Sequence, residues 1–92
     1  MIRRFRHKGL RDFFDNGSKK GINPAHADKL ETRLDRLNAS VCPEDMRLPG
    51  YRLHELSGQE KGTYAISVSG AWRMTFTFEG EDAMDVDYRQ YH

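Results

Sequence analysis

Apolar residues change their spacing midway along the chain. In the first half Leu10, Phe13 and Phe14 recur at helical spacing, and Asn16-Gly17 behind them supplies a left-handed cap that ends a helix. Ala27, Leu30, Leu34 and Leu37 then mark one face of a longer helix, with Asn23 as its N-cap and Pro24 at its first position. Ahead of both, Ile2 and Phe5 predict a short first strand. Pro43, Pro49 and Gly50 interrupt regular structure and mark residues 40–50 as a crossover loop. Beyond it the period is two. Tyr64, Ile66 and Val68 alternate with Ala65, Ser67 and Ser69, Trp72, Met74, Phe76 and Phe78 alternate with Arg73, Thr75 and Thr77, and Met84, Val86 and Tyr88 alternate with Asp85, Asp87 and Arg89.

Ser69-Gly70 and Glu79-Gly80-Glu81-Asp82 read as tight turns, which makes these three strands an antiparallel meander. A further strand through Tyr51-Arg52-Leu53-His54 is expected to pair with the Tyr64 strand across the polar connection Ser57–Gly62. The pattern predicts one α+β domain over residues 1–92, with two N-terminal helices packed on an antiparallel sheet.

If the apolar strand positions face the helices, the other face collects the alternate ones. Parity places there Arg52 and His54, then Arg73, Thr75 and Thr77, then Asp87, Arg89 and Tyr91, with His92 following. Imidazoles, a phenol and arginines on one sheet can cleave RNA without a metal. The reaction needs a base for the 2′-hydroxyl, an acid for the leaving 5′-oxygen and a cation over the phosphate. Histidine serves the first two because its unperturbed pKa is about 6.5. Each residue also has an ordinary reading: His54 as a surface imidazole, Arg73 paired across strands with Asp87, and Tyr91-His92 as a frayed end. His7 and His26 fall in a basic loop and in the first turn of the second helix.

Ninety-two residues allow one core. Charged residues make up 32% of the chain and mean hydropathy is −0.84, as expected of a soluble globular protein. The formal charge of +1 hides an asymmetry: residues 1–46 carry ten Lys/Arg against seven Asp/Glu, residues 47–92 five against seven. Arg3, Arg4, Arg6, Lys8 and Arg11 supply most of the basic excess, and such a cluster either attracts phosphate backbones or forms a solvated edge. Cys42 is alone, so no internal disulfide is available and a reducing cytoplasm is expected. No apolar run suits a signal peptide or a membrane span. The four histidines are dispersed, with no His-Glu-x-x-His or Cys-x-x-Cys spacing, and the glycines form no Walker or dinucleotide fingerprint, so neither a metal nor a nucleotide cofactor is expected.

Four segments in order then become recognisable: Ile2-Arg3-Arg4-Phe5-Arg6-His7-Lys8-Gly9-Leu10, Tyr51-Arg52-Leu53-His54-Glu55-Leu56-Ser57-Gly58, Trp72-Arg73-Met74-Thr75-Phe76 and the final Tyr91-His92. Together they resemble HigB-type toxins of the RelE/ParE superfamily over nearly the whole chain. The resemblance implies a RelE-like microbial ribonuclease fold with a curved antiparallel sheet. It further implies a ribosome-dependent endoribonuclease that cuts mRNA in the A site and stops translation. The implied partner is a helix-turn-helix antitoxin of the HigA type, which neutralises the toxin and through which the complex represses its own operator DNA.

Carried onto this sequence, the family pattern implies His54, Arg73, Tyr91 and His92 as catalytic positions. His92 would lead proton transfer with His54 as its acid–base partner, Tyr91 would contact phosphate or base, and Arg73 would hold the scissile phosphate. Arg52, Arg89 and Gln90 are expected to contact RNA. Gln90 departs from the family, whose members usually carry an acid before Tyr-His. A neutral amide cannot raise a histidine pKa as an anion would. Ser57 stands where some relatives have lysine, and Ala71 where a polar residue is common. The alternatives are a catalytically weakened RNA- or protein-binding module of the same fold, and a ParE-like gyrase inhibitor, against which His54 and Tyr91-His92 argue.

Overall fold

The computed structural model describes residues 1–91; His92 lies outside the described residues. Two helices, α1 (Lys8–Asn16) and α2 (Ala27–Ala39), precede four strands, β1 (His54–Glu55), β2 (Tyr64–Ser69), β3 (Trp72–Glu79) and β4 (Asp82–Gln90). The strands form one antiparallel sheet in the order β1-β2-β3-β4. This is the expected α+β layout.

Local chemistry explains the helix ends. His7 caps α1, its Nδ1 accepting the Leu10 N–H at 2.9 Å, and Gly17 ends the helix at φ 79°, donating to the Phe13 carbonyl. Asn23 caps a 3-10 turn, Pro24–His26, that leads directly into α2. The apolar stripe of α2, Ala27, Leu30, Leu34 and Leu37, is entirely buried. Against it lie Ile66 and Val68 of β2, Met74 and Phe76 of β3 and Val86 of β4, each side chain contributing about 1.5–3 kcal/mol by leaving water. Arg33 ties α2 to the sheet, its Nε donating to the Ser67 carbonyl at 2.7 Å while the guanidinium lies 4.3 Å from the Tyr51 ring centroid.

The N-terminal run joins β4 in parallel through Ile2↔Ala83 and Phe5↔Val86, so the sheet is not antiparallel throughout. Arg3 N–H donates to the Ala83 carbonyl at 2.9 Å and Arg6 N–H to Val86 at 2.8 Å. This pairing places the basic run beside an acidic strand: Arg3 meets Asp82 at 3.2 Å and Arg4 meets Asp85 at 2.8 Å. The opposite charges of the two halves therefore neutralise each other along one edge.

Two departures from simple alternation matter. The strand expected over Tyr51–His54 shortens to His54–Glu55, because Arg52 takes φ 54° and breaks the extended run, although Ser67 N–H still donates to the Tyr51 carbonyl. In β4 the register shifts by one residue between Thr75↔Asp87 and Thr77↔Met84, and Asp85 takes φ 51°. This bulge exchanges the faces of the residues before it. Ala83 is buried in the core, and Met84, expected there, shares the polar face with Thr77.

Candidate active site

The polar face of the sheet is ordered in rows. His54, Ala65, Thr75 and Asp87 stand in register across all four strands, and Ser67, Arg73 and Arg89 form the next row. Partners in register share a face, so His54, Arg73 and Arg89 lie on one side of the sheet. Tyr91 continues the ladder, donating its N–H to the Ala71 carbonyl at 2.8 Å, and alternation sets its half-buried side chain on the side of Arg89. Gln90 is exposed and in register with Trp72, so alternation sends it to the opposite side.

His54 is exposed on the edge strand, with Nδ1 3.1 Å from the Arg52 carbonyl. A carbonyl only accepts, so Nδ1 carries the hydrogen of this bond and Nε2 is left as the atom that can take or give a proton. The left-handed Arg52 backbone is what aims its carbonyl at the ring, while its own side chain is exposed. Arg73 donates through one Nη to the Gly70 carbonyl at 2.6 Å and to the Trp72 carbonyl at 2.9 Å. The β2–β3 hairpin thus orients a guanidinium whose remaining N–H groups have no protein partner among the described residues.

Arg73 stands opposite Arg89, not opposite Asp87 as the cross-strand reading expected. Asp87 pairs instead with Arg89 of its own strand, at 3.1 Å, and accepts the Tyr88 N–H at 2.9 Å. Arg89 also meets Glu60 at 2.8 Å. Burial works against the Arg89 charge, but the Glu60 hydrogen bond and charge, with Tyr91 and Asp87 adding, hold its pKa above the ordinary arginine value. Glu60 lies in the connection between β1 and β2 and crosses the face of the sheet to reach β4. Its part in the site was not legible in the sequence, since a glutamate among glycines in a loop carries no pattern.

Two further features escaped the sequence. The Thr75 hydroxyl is buried beneath this face without a partner among the described residues. On the other side of the sheet His26 is buried, not simply placed in a first helical turn, and its Nδ1 lies 2.6 Å from the Tyr88 hydroxyl. Trp72 stacks on Tyr88 with ring centroids 4.5 Å apart, and His7 meets Tyr88 edge-on at 5.5 Å. This cluster fixes the strand that carries Arg89 and leads to Tyr91. His92, expected to lead the proton transfer, falls outside the described residues. No three His, Cys, Asp or Glu side chains come together in an arrangement that could hold a metal among the described residues. No described helix is long and apolar enough to cross a membrane.

Comparisons with known proteins agree with this layout. The family model described as the RelE-like toxin of type II toxin-antitoxin system HigB matches residues 3–92. The chain is 34% identical over 92 residues to a Proteus vulgaris protein named endoribonuclease HigB, covering the whole of both. It is 30% identical over 78 residues to toxin HigB-1 of Vibrio cholerae, covering 83% of this chain and 82% of that one. In fold it is similar to a conserved hypothetical protein of Helicobacter pylori solved in solution, with a TM-score of 0.51 and 12% identity over 96% of this chain and 94% of the other. With a family model matched from Arg3 to the last residue and a relative alike over its full length, this chain belongs to the HigB-like family, the RelE-like toxins of type II toxin–antitoxin systems.

Proposed function

We infer that the protein is an endoribonuclease toxin that cleaves mRNA in the ribosomal A site and so inhibits translation. The observation that carries the reading is the shared face of His54, Arg73 and Arg89, with Tyr91 continuing it, in a chain similar along its full length to a protein named endoribonuclease HigB. The chemistry follows from the groups available. A base removes the 2′-hydroxyl proton, the 2′-oxygen bonds to phosphorus, and the bond to the 5′-oxygen breaks. An acid then protonates that oxygen, leaving a 2′,3′-cyclic phosphate and a 5′-hydroxyl. His92 and His54 divide the acid and base roles, with Nε2 as the working atom of His54. Arg73 stabilises the charge that develops on the phosphate, and Tyr91 contacts phosphate or base. Arg52 and Arg89 flank the RNA.

The expected partner is a helix-turn-helix antitoxin of the HigA type, which neutralises the toxin and carries the complex to operator DNA, and the expected compartment is the cytoplasm. Gln90 favours a second reading, a weakened RNA-binding module, because it supplies no carboxylate where the family usually has one. Primer extension on mRNA from translating ribosomes separates the two. The nuclease reading expects defined cuts, lowered about 10²–10⁴-fold by His92→Ala or His54→Ala, and strongly by Arg73→Ala without loss of fold. Intact mRNA with the folded wild-type protein, or equal cutting by His92→Ala, would reject it.

A further inference from the structure

The connection from β1 to β2 folds back across the polar face. Gly58 at φ 69° and Gly62 at φ 97° make the bends, the Gly62 N–H donates to Glu55 Oε2 at 2.9 Å, and the Thr63 N–H donates to the Glu60 carbonyl at 2.9 Å. The Glu60–Arg89 pair fastens the loop to β4. Beneath it lies a pocket of about 280 Å³, near the lower limit of roughly 300 Å³ for small-molecule sites. Its loop wall is Gln59, Glu60 and Thr63, its floor includes Thr77 of β3, and Asp85, Arg89 and Arg6 close the far side.

The charges of the wall decide what fits. Glu60 is matched by Arg89, and Asp85 by Arg4, each at 2.8 Å. Arg6 has no ion pair among the described residues, so the pocket keeps one uncompensated cation. The remaining lining groups are two hydroxyls and a carboxamide, each able both to donate and to accept a hydrogen bond. A bare phosphate would use those groups as donors alone, leaving their acceptors idle, and would face two carboxylates. A nucleotide uses both parts, its phosphate on the guanidinium and the edge of its base on the neutral groups, which is how unpaired RNA bases are read. Position agrees: Thr77 lies two residues beyond Thr75 on β3, roughly 6.6 Å along the strand from the row that contains His54.

We propose that this pocket binds one nucleotide of the RNA strand next to the scissile phosphate, with Arg6 holding its phosphate and Gln59, Thr63 and Thr77 reading its base. The proposal rests on the polar face being the RNA-facing one, and it makes the pocket a determinant of where the strand is cut. Arg3 and Arg4 are committed to Asp82 and Asp85, and of the N-terminal basic residues Arg6 is the one that lines the pocket.

The test is an NMR titration of the full chain with the four 5′-nucleoside monophosphates and with 2′-O-methyl trinucleotides, which cannot be cleaved by 2′-oxygen attack. The amides of Arg6, Gln59, Thr63 and Thr77 should shift together and saturate, with a trinucleotide binding more tightly than any mononucleotide. Arg6→Gln should weaken trinucleotide binding about tenfold and Thr77→Val about threefold. Both variants should also redistribute the cut sites on translated mRNA. Unmoved amides, unchanged affinity in Arg6→Gln, or a mononucleotide binding as tightly as every trinucleotide would overturn the proposal. Cleavage with an unchanged site distribution in both variants would also overturn it, while leaving the nuclease reading intact. Trinucleotide binding in the pocket with no cleavage of mRNA would support the pocket and reject the nuclease.

Discussion

Tyr88→Phe removes one oxygen from the interior, and its effect can be worked out in advance. The Tyr88 side chain is buried, with the residue 5% exposed, and its hydroxyl lies 2.6 Å from Nδ1 of His26, itself 7% exposed. The shared hydrogen sits on the hydroxyl or on Nδ1 according to the imidazole tautomer, and removing the oxygen breaks the bond in either case. Nδ1 of buried His26 is then left without this partner, and an unsatisfied buried polar group costs about 1–3 kcal/mol. The ring itself is kept, and so is its stack on Trp72. For a domain of this size the loss is a melting temperature lower by roughly 5–20 °C. Burial, partly opposed by the nearby Asn23 backbone N–H, also raises the Tyr88 pKa above 10.0. A raised folded pKa means stability that is whole below pH 10 and lost as the pH climbs through the folded value, so the variant should also lack part of the wild-type alkaline decline. Thermal melts across pH, with a double-mutant cycle against His26→Leu, read both effects. A Tyr88→Phe protein within about 0.5 kcal/mol of wild type, or a cycle with no coupling, would show that the bond does not hold β4.

Gly9→Ala should destabilise the fold by about 1–3 kcal/mol, although alanine is the better helix former, because the new Cβ would sit 2.5 Å from the Gly21 carbonyl oxygen with only backbone around it; urea unfolding that gives a more stable variant would refute this. Asp45 has its pKa lowered chiefly by the Val41 N–H, which donates to its carboxylate at 2.9 Å, so its contribution is present above the unfolded value of 3.8 and lost as the pH falls through the lower folded value. Asp45→Asn should therefore flatten the fall in melting temperature between about pH 5 and pH 2, and an unchanged slope would remove Asp45 from the account of acid unfolding.

Much of the layout is written in local patterns. The α2 stripe and the alternation in β2 and β3 name Ile66, Val68, Met74 and Phe76 as core directly, because burial on one face imposes the period, while Ala65 and Thr75 on the alternate positions are fully buried as well. The face shared by His54, Arg73 and Arg89 follows from the same alternation. It fails in β4 for an identifiable reason: Ala83 and Met84 are both apolar, so the hydrophobic pattern cannot reveal which of them the extra residue at Asp85 turns outward. His26 was missed because a histidine two residues after a proline reads as part of a helix start, and its burial depends on Tyr88, 62 residues away. Glu60 was missed, and Arg6 was read only as one of a basic cluster, because what matters about them is the path of the chain around them.

The opposition of Arg73 and Arg89 says most about what this face is for. Like charges directly across a strand pair oppose folding, and a sheet selected for stability alone would pair Arg73 with an acid. Here the compensation is one-sided. Asp87 and Glu60 both serve Arg89, whose side chain is 25% exposed, while Arg73 is held only by the Gly70 and Trp72 carbonyls of the hairpin. Carbonyls orient a guanidinium without cancelling its charge. Arg89 is thus locked into the sheet as a neutralised, load-sharing cation, and Arg73 keeps a full charge and unused N–H groups on the face that carries His54. An anion arriving at Arg73 would supply the counter-charge that the fold gives only to Arg89, and a phosphodiester brings that charge together with oxygens suited to the planar geometry of arginine.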